Sequence, residues 1–293
     1  MDDQQWLAER FEEHRPRLRA VAYRMLGSLS EADDAVQDAW LRVSRADTSE
    51  VENLGAWLTT IVARVSLNLL RSRRTRREAS LDVHVPDPVI DPVDDTDPEH
   101  EALLADSVGL ALLVVLETLS PPERLAFVLH DMFGVPFEQI APIVERSSDA
   151  ARQLASRARR RVRGAAPAPD ADVNAQWEVV EAFLAAAHEG NFEGLLAVLD
   201  PDVVLRADGG GVTELSRLVR GAQAVASSAT MWSRVALDMH RALVNGTPGF
   251  VSLRDGRPFS VAAVTISGGR IVEMDILADP ERLAKLDLAV LDG

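Results

Sequence analysis

Apolar residues recur every three or four positions through most of the first 164 residues, and beyond about residue 200 they give way to short β-branched runs. Leu18, Val21, Ala22, Met25 and Leu26 share one helical stripe. After Gly27, Ser30 reads as an N-cap with Asp33 at its N3 position, which predicts a helix reaching Val43. Ser44 to Asn53 has no periodicity and reads as a loop. Leu54 to Arg74 reads as a long helix, with Leu58, Ile61, Val62, Val65, Leu69 and Leu70 on its stripe. No strand signal occurs in this part of the chain.

Asp82 to Pro98 carries Pro86, Pro88, Pro92 and Pro98 among six aspartates, which predicts an extended, semi-rigid linker that joins no core. Helices resume from Glu99 to about Leu119. Ser120-Pro121-Pro122-Glu123 then supplies an N-cap, a proline at the first helical position and a capping-box glutamate. Phe137–Val144 and Asp149–Arg163 read as two short helices joined by Glu145-Arg146-Ser147-Ser148. A second linker follows, Gly164 to Asp170. Ala175–Glu189 and Phe192–Leu199 are helical. The runs at 203–207, 250–253, 260–266 and 270–277 are strand-like, with Gly268-Gly269 as a hairpin turn. Residues 172–285 are therefore expected to form an α+β domain, a curved antiparallel sheet packed on helices.

Length and charge narrow the function. At 293 residues the chain is long enough for two or three domains. Its net charge of −15 argues against nucleic acid only until the distribution is read. Arginines cluster at 71, 73, 74, 76 and 77, and again at 152, 157, 159, 160, 161 and 163, with the acidic linker between them. Two basic patches on either side of an acidic linker suit contact with nucleic acid at two places. The absence of cysteine excludes disulfides, thiol catalysis and Cys-ligated metal. No metal-ligand spacing stands out among the six histidines, and no cofactor is expected. No apolar run is long enough to span a bilayer and the N-terminus is acidic, so a cytoplasmic protein without membrane contact is expected.

Phe137 to Arg163 has helix–turn–helix proportions. A second helix of that kind would put Ser148, Asp149, Ala151 and Arg152 at a major groove, with Arg157, Arg160 and Arg161 along the phosphates. On the helix before Val43, Asp34, Gln37, Asp38, Leu41 and Arg42 share one face, and a leucine among polar neighbours suits protein docking as well as a plain solvent face.

In this order the segments resemble an extracytoplasmic-function type sigma factor of bacterial RNA polymerase. Asp33-Asp34-Ala-Val-Gln37-Asp38-Ala-Trp-Leu41-Arg42-Val resembles region 2.2, which implies docking on the clamp helices of the polymerase β′ subunit. Asn53 to Arg71 resembles regions 2.3 and 2.4, implying that Asn53, Trp57, Arg64, Arg71 and Arg74 open and hold the −10 element. Trp57 reads equally as core. Leu119-Ser-Pro-Pro-Glu-Arg124 through Arg163 resembles region 4, which implies −35 recognition. Trp177 to Leu205 looks like a SnoaL or nuclear-transport-factor-2 type cone, and a cone fused behind a sigma factor matches the sigma-J-like subfamily. That subfamily's three motifs have counterparts here: Val85-Pro86-Asp87-Pro88, Asp208-Gly209-Gly210-Gly211, and Asp279-Pro280-Glu281-Arg282-Leu283. Val212 stands where the glycine motif usually has lysine. The third motif, usually Asn-Pro-Asp-Lys-Leu, is only similar.

The resemblance implies a multidomain fold, two all-α domains followed by an α+β cone. Region 2 is expected at 1–80, the acidic linker at 81–100, region 4 at 101–164, a linker at 165–173, the cone at 174–285 and a tail at 286–293. Core RNA polymerase, through its β and β′ subunits, and promoter DNA are the implied partners. The cone is expected to regulate the sigma domains in cis. A small ligand in the cone ranks second and catalysis third. Asp200, Asp208, Asp238 and Asp275 are conceivable bases and His188 and His240 cavity candidates, but the only tyrosine, Tyr23, lies in the first domain. The alternatives are a ligand-sensing helix–turn–helix regulator and a cone-fold enzyme with helical appendages.

Overall fold

The computed structural model describes residues 3–48, 51–76, 83–91, 109–165, 167–232 and 237–288. The chain divides into two compact units, one of residues 1–79, 101–106 and 115–165, the other of residues 80–100, 107–114 and 166–293.

The first unit opens with α1 (Asp3–Leu26), α2 (Leu29–Val43) and α3 (Leu54–Arg76). Gly27 takes a left-handed φ of 68° and ends α1, and the chain re-enters a helix at once. The cap of α2 is therefore Ser28, whose Oγ accepts from the Glu31 amide at 3.5 Å, and not Ser30 as expected. Leu18, Met25, Leu26, Ala35, Leu58 and Leu67 form the common core. The later helices of the unit are α5 (Pro121–Phe127), α6 (Phe137–Val144) and α7 (Ser148–Ala165), with a single π-helical turn, Val128–Met132, after α5. Two buried arginines join the early and late helices. Arg124 donates to the Leu116 and Met25 carbonyls at 2.7 and 2.8 Å, and the Arg24 guanidinium stands 4.9 Å from the Phe133 ring centroid. Carbonyl acceptors and an aromatic face both suit a buried guanidinium. Before these in the chain, α4 (Leu110–Glu117), whose residues up to Val114 are counted with the second unit, is apolar on nearly all sides and largely buried; the expected stretch of helix at 99–108 lies outside the described residues.

The second unit is a seven-stranded sheet in the order β1-β4-β5-β6-β7-β2-β3. Its strands are β1 (Ile90–Asp91), β2 (Leu199–Asp208), β3 (Arg217–Arg220), β4 (Asp238–Val244), β5 (Thr247–Arg254), β6 (Arg257–Ser267) and β7 (Arg270–Leu277). The expected antiparallel sheet is corrected at one pair: β2 and β7 run in parallel, and the other pairs are antiparallel. After β3 the chain crosses to the far side of the sheet, and the meander β4 to β7 returns beside β2 running in the same direction. Helices α8 (Val173–Glu189), α9 (Phe192–Val198) and α10 (Ala222–Trp232) belong to the same core, where Val180, Phe183, Leu195, Val225, Phe250 and Met274 meet. Asp172 caps α8 through the amides of Asn174 and Ala175.

The largest correction concerns the linker. Residues 84–89 are extended as predicted, yet Val85, Asp87, Val89, Ile90 and Asp91 are all buried. Ile90 and Asp91 pair with Val244 and Leu243 and so extend the sheet beyond β4. Pro92 and Pro98 lie outside the described residues. Proline prevents helix but not an edge strand, and Val85, Pro86, Pro88, Val89 and Ile90 give this segment apolar surface to bury.

Candidate functional site

On α2, Asp34, Gln37, Leu41 and Arg42 are exposed, and Asp38 is half-buried with its carboxylate 2.8 Å from Arg42. Leu41 leaves 47% of its surface to solvent while Ala32, Val36, Ala39 and Val43 face the core. On α3, Arg64, Asn68 and Arg71 form an exposed stripe at helical spacing. Asn53 accepts from the Ala56 amide at 3.0 Å and so caps α3, and Trp57 is half-buried on its first turn. The side chain of Arg74 lies outside the described residues. Arg42, Arg64, Asn68 and Arg71 face Pro142, Ile143 and Glu145 of the α6 end across a cleft of about 290 Å³.

The helix–turn–helix forms where it was predicted. Glu145 ends α6 in a left-handed conformation (φ 57°), and Ser147 caps α7 through the Ala150 amide. Ser148 is half-buried, and Asp149 and Arg152 are exposed and paired at 2.8 Å. Ala151 is completely buried with Ala155 and Ala158, so the expectation that it meets a base edge is corrected: it packs inward. Arg157 and Arg161 both reach Glu123 of α5, at 3.0 and 3.5 Å, whereas Arg160 points to solvent.

In the second unit the three motifs meet at one point. Arg282, on the four-residue helix α11 (Pro280–Leu283), donates from Nε to Asp87 Oδ1 at 2.7 Å. Its Nη2 donates to the Val85 carbonyl at 2.6 Å, and its Nη1 to Asp208 Oδ2 at 2.8 Å. The same Asp208 oxygen accepts from the Val85 amide at 3.0 Å and lies 3.0 Å from His84 Nδ1, while Oδ1 accepts from the Gly210 amide. Burial alone would raise the Asp208 carboxyl. The bonds from His84, Val85 and Gly210 outweigh it and hold the group well below the usual carboxylate range. Pro86 and Pro88 are buried on either side of Asp87, and Leu283 is buried behind Arg282.

The glycines are unequal. A Cβ on Gly209 would stand 2.5 Å from Leu215 Cβ, and one on Gly210 2.0 Å from Asp279 Oδ2, where φ is also +57°. Gly211 has open space. Asp279 itself caps α11 through the Glu281 amide at 2.9 Å. Two residues of this site lie outside the three motifs. One is His84. The other is Asn245, which exchanges bonds with Val89 at 2.8 and 3.1 Å and fastens the linker to the sheet edge.

A cavity of about 120 Å³ lies between the sheet and helices α8 and α10, lined by Phe183, Phe250, Met274 and Ile276 with Arg217 and Ser228, and His188 lines it as expected. On the far side of β2 and β7, Arg206 pairs with Glu273 and Asp275. Among the described residues no cluster of three or more metal-ligating side chains occurs, and no helix is long and apolar enough to cross a membrane.

Residues 10–76 match the model of Sigma-70 region 2, and residues 109–162 that of Sigma-70, region 4. The ECF RNA polymerase sigma factor SigJ of Mycobacterium tuberculosis is 37% identical over 287 residues, covering 93% of this chain and 91% of that protein. A probable ECF RNA polymerase sigma factor from the same species, SigI, is 34% identical, with 93% of each chain covered. The crystal structure of SigJ superposes with a TM-score of 0.76 at 34% identity, over 94% of this chain and 97% of that one. Likeness of this extent runs through both helical segments and the cone together. The chain belongs to the extracytoplasmic-function family of RNA polymerase sigma factors.

Proposed function

We propose that the protein binds core RNA polymerase through the α2 face and directs initiation at promoters whose −10 and −35 elements are read by α3 and α7, the polymerase making the bonds. The exposed Asp34, Gln37, Leu41 and Arg42 support the docking role, with Asp38 held against Arg42. Arg64 and Arg71, with Arg152 and Arg160, support the two DNA contacts. Elements 25 base pairs apart lie about 85 Å from one another along B-DNA. The nearness of α3 to α6, the helix before α7, across one cleft supports the reading of a closed form that opens on a promoter.

The cone regulates that opening in cis by holding the segment between the two DNA-reading parts. The single observation that carries this is Arg282, whose one guanidinium binds Asp87, the Val85 carbonyl and Asp208. Arginine suits the task better than lysine, because its planar fork reaches three acceptors at fixed angles. The cone's cavity is the natural entry for a small ligand.

Run-off transcription with core polymerase, on the promoter of the protein's own operon, tests the reading. Full-length protein and the Arg282→Ala variant are compared. A changed yield or salt response of initiation is expected. Equal initiation by both removes the regulatory role, and no initiation by either removes the sigma role. A truncation near residue 170 is a poorer test, because it strips Val85, Val89 and Ile90 of the sheet that covers them.

A further inference from the structure

The cavity in the cone has a chemistry opposite to that of the chain around it. The protein carries a net charge of −15, yet the described residues lining the cavity include no aspartate or glutamate. Their one permanent charge is the guanidinium of Arg217 on β3. Burial draws it below the usual guanidinium value, and arginine is the side chain that stays protonated in proteins. The remaining wall is mostly carbon: Phe183 and Phe250 are almost fully buried, as is Met274.

Ser228 adds an independent sign. It sits on α10, is 8% exposed, and its Oγ has no hydrogen-bond partner. An unsatisfied buried hydroxyl costs about 1–3 kcal/mol, so native proteins rarely keep one without a use. Here it lines the same cavity as the arginine. His188, Ser252 and Ser260 also line the wall, which otherwise is apolar. A cation and a free hydroxyl in a mostly carbon chamber without an acid match one kind of guest, a body of carbon with one anionic end. The volume suits a body on the order of six to ten non-hydrogen atoms.

We propose that the cone cavity is a binding site for a small organic monoacid, its apolar part among Phe183, Phe250 and Met274 and its carboxylate received by Arg217 and Ser228. This rests on the reading that the cavity takes a small ligand, and adds the class of ligand. The wall also touches the motifs that Arg282 clasps together. Ala207 and Ala278 line the cavity and immediately precede Asp208 and Asp279, and the Ala278 amide donates to the Asp208 carbonyl at 2.7 Å. A guest therefore sits one residue from the groups that hold the linker.

The full chain is titrated by calorimetry near neutral pH with hexanoate and octanoate, and with the matching amides, which have the same shape and no charge. One acid per chain is expected, bound about tenfold or more tightly than its amide. In Arg217→Gln that preference is expected to shrink to within about threefold while the amide still binds, and Ser228→Ala should weaken the acid several-fold. Ser228→Ala supplies the test if Arg217→Gln does not fold. Acid and amide of equal affinity, or a preference untouched by both variants, overturns the monoacid assignment and leaves the small-ligand reading standing. No saturable heat from any of the four compounds overturns both.

Discussion

The acidic face of α2 and the segment 84–91 are both read from composition as solvated, and only one of them is. On α2 the carboxylates find local company: Asp38 meets Arg42 one turn away, and both keep about half of their side chains in water. Such a pair is worth about 0.3–0.5 kcal/mol and leaves the face free for a partner. In the segment, Asp87 meets Arg282 across 195 positions of sequence, with side chains 11% and 19% exposed. Acid alone does not decide burial. What decides it is a cation, and apolar neighbours such as Val85 and Val89, brought from elsewhere in the fold.

That contrast can be broken most forcefully at Arg282. Arg282→Ala leaves Asp87 and Asp208 buried without their cation, and should cost the second unit about 3–5 kcal/mol in urea unfolding. The amide of Val89 should exchange its hydrogen faster at the same time. A loss under about 1 kcal/mol would make the clasp an incidental contact like those on α2.

Gly210→Ala comes next. It forces a side chain into Asp279 at a positive φ and should cost about 2 kcal/mol, whereas Gly211→Ala should stay within about 0.5 kcal/mol. Equal effects at the two positions would mean that the loop is not pinned by α11.

The buried carboxylates sharpen the comparison through pH. Asp208 is held low, so its contribution is complete above about pH 4 and fades only as the pH falls below that. Asp275 is the reverse. Burial first, and Glu273 second, push it up to about 7 against the pull of Arg206. Its ionisation opposes folding, so its contribution falls as the pH rises from about 4 to about 7. Asp275→Asn should therefore flatten the dependence of the urea midpoint over that window, and an unchanged slope would assign it to other groups.

The smallest effect on stability, about 0.5 kcal/mol or less, is expected for Asp38→Ala. Its effect on core polymerase is expected to be much larger, about tenfold in affinity by fluorescence anisotropy. Equal binding would remove this residue from the docking face.

Local signals were enough for much of the first unit. Ser120 and Glu123 form their bond at 2.7 Å as their spacing requires, and α6 has the bounds its periodicity predicts. β6 and β7 were legible because β-branched runs flank Gly268-Gly269, both of which take positive φ. The hairpin between β4 and β5 was also written in the chain. Asn245-Gly246 has φ of 51° and 73°, a type I′ pair, but the strand before it, Asp-Met-His-Arg-Ala-Leu-Val, lacks a clean alternation. β3 and β1 are too short to leave a pattern. The clasp motifs were visible only through family resemblance, since nothing near Asp87 in sequence announces Arg282. Counting along the helix places Ala151 at the groove. The alanine stripe Ala151, Ala155 and Ala158 marked it as an inward position.

Addition of β1 to the edge of β4 imposes an order on synthesis. The ribosome releases residues 84–91 about 150 residues before β4 exists. At roughly 5–20 residues per second the segment waits roughly 8–30 s with Val85, Val89 and Ile90 uncovered. During that interval an apolar extended stretch could pair with any exposed strand in the cell. Pro86 and Pro88 lack the amide hydrogens that such pairing needs, and Asp87 and Asp91 add charge. The residues that give this stretch the look of a mere spacer keep it single until its own sheet arrives.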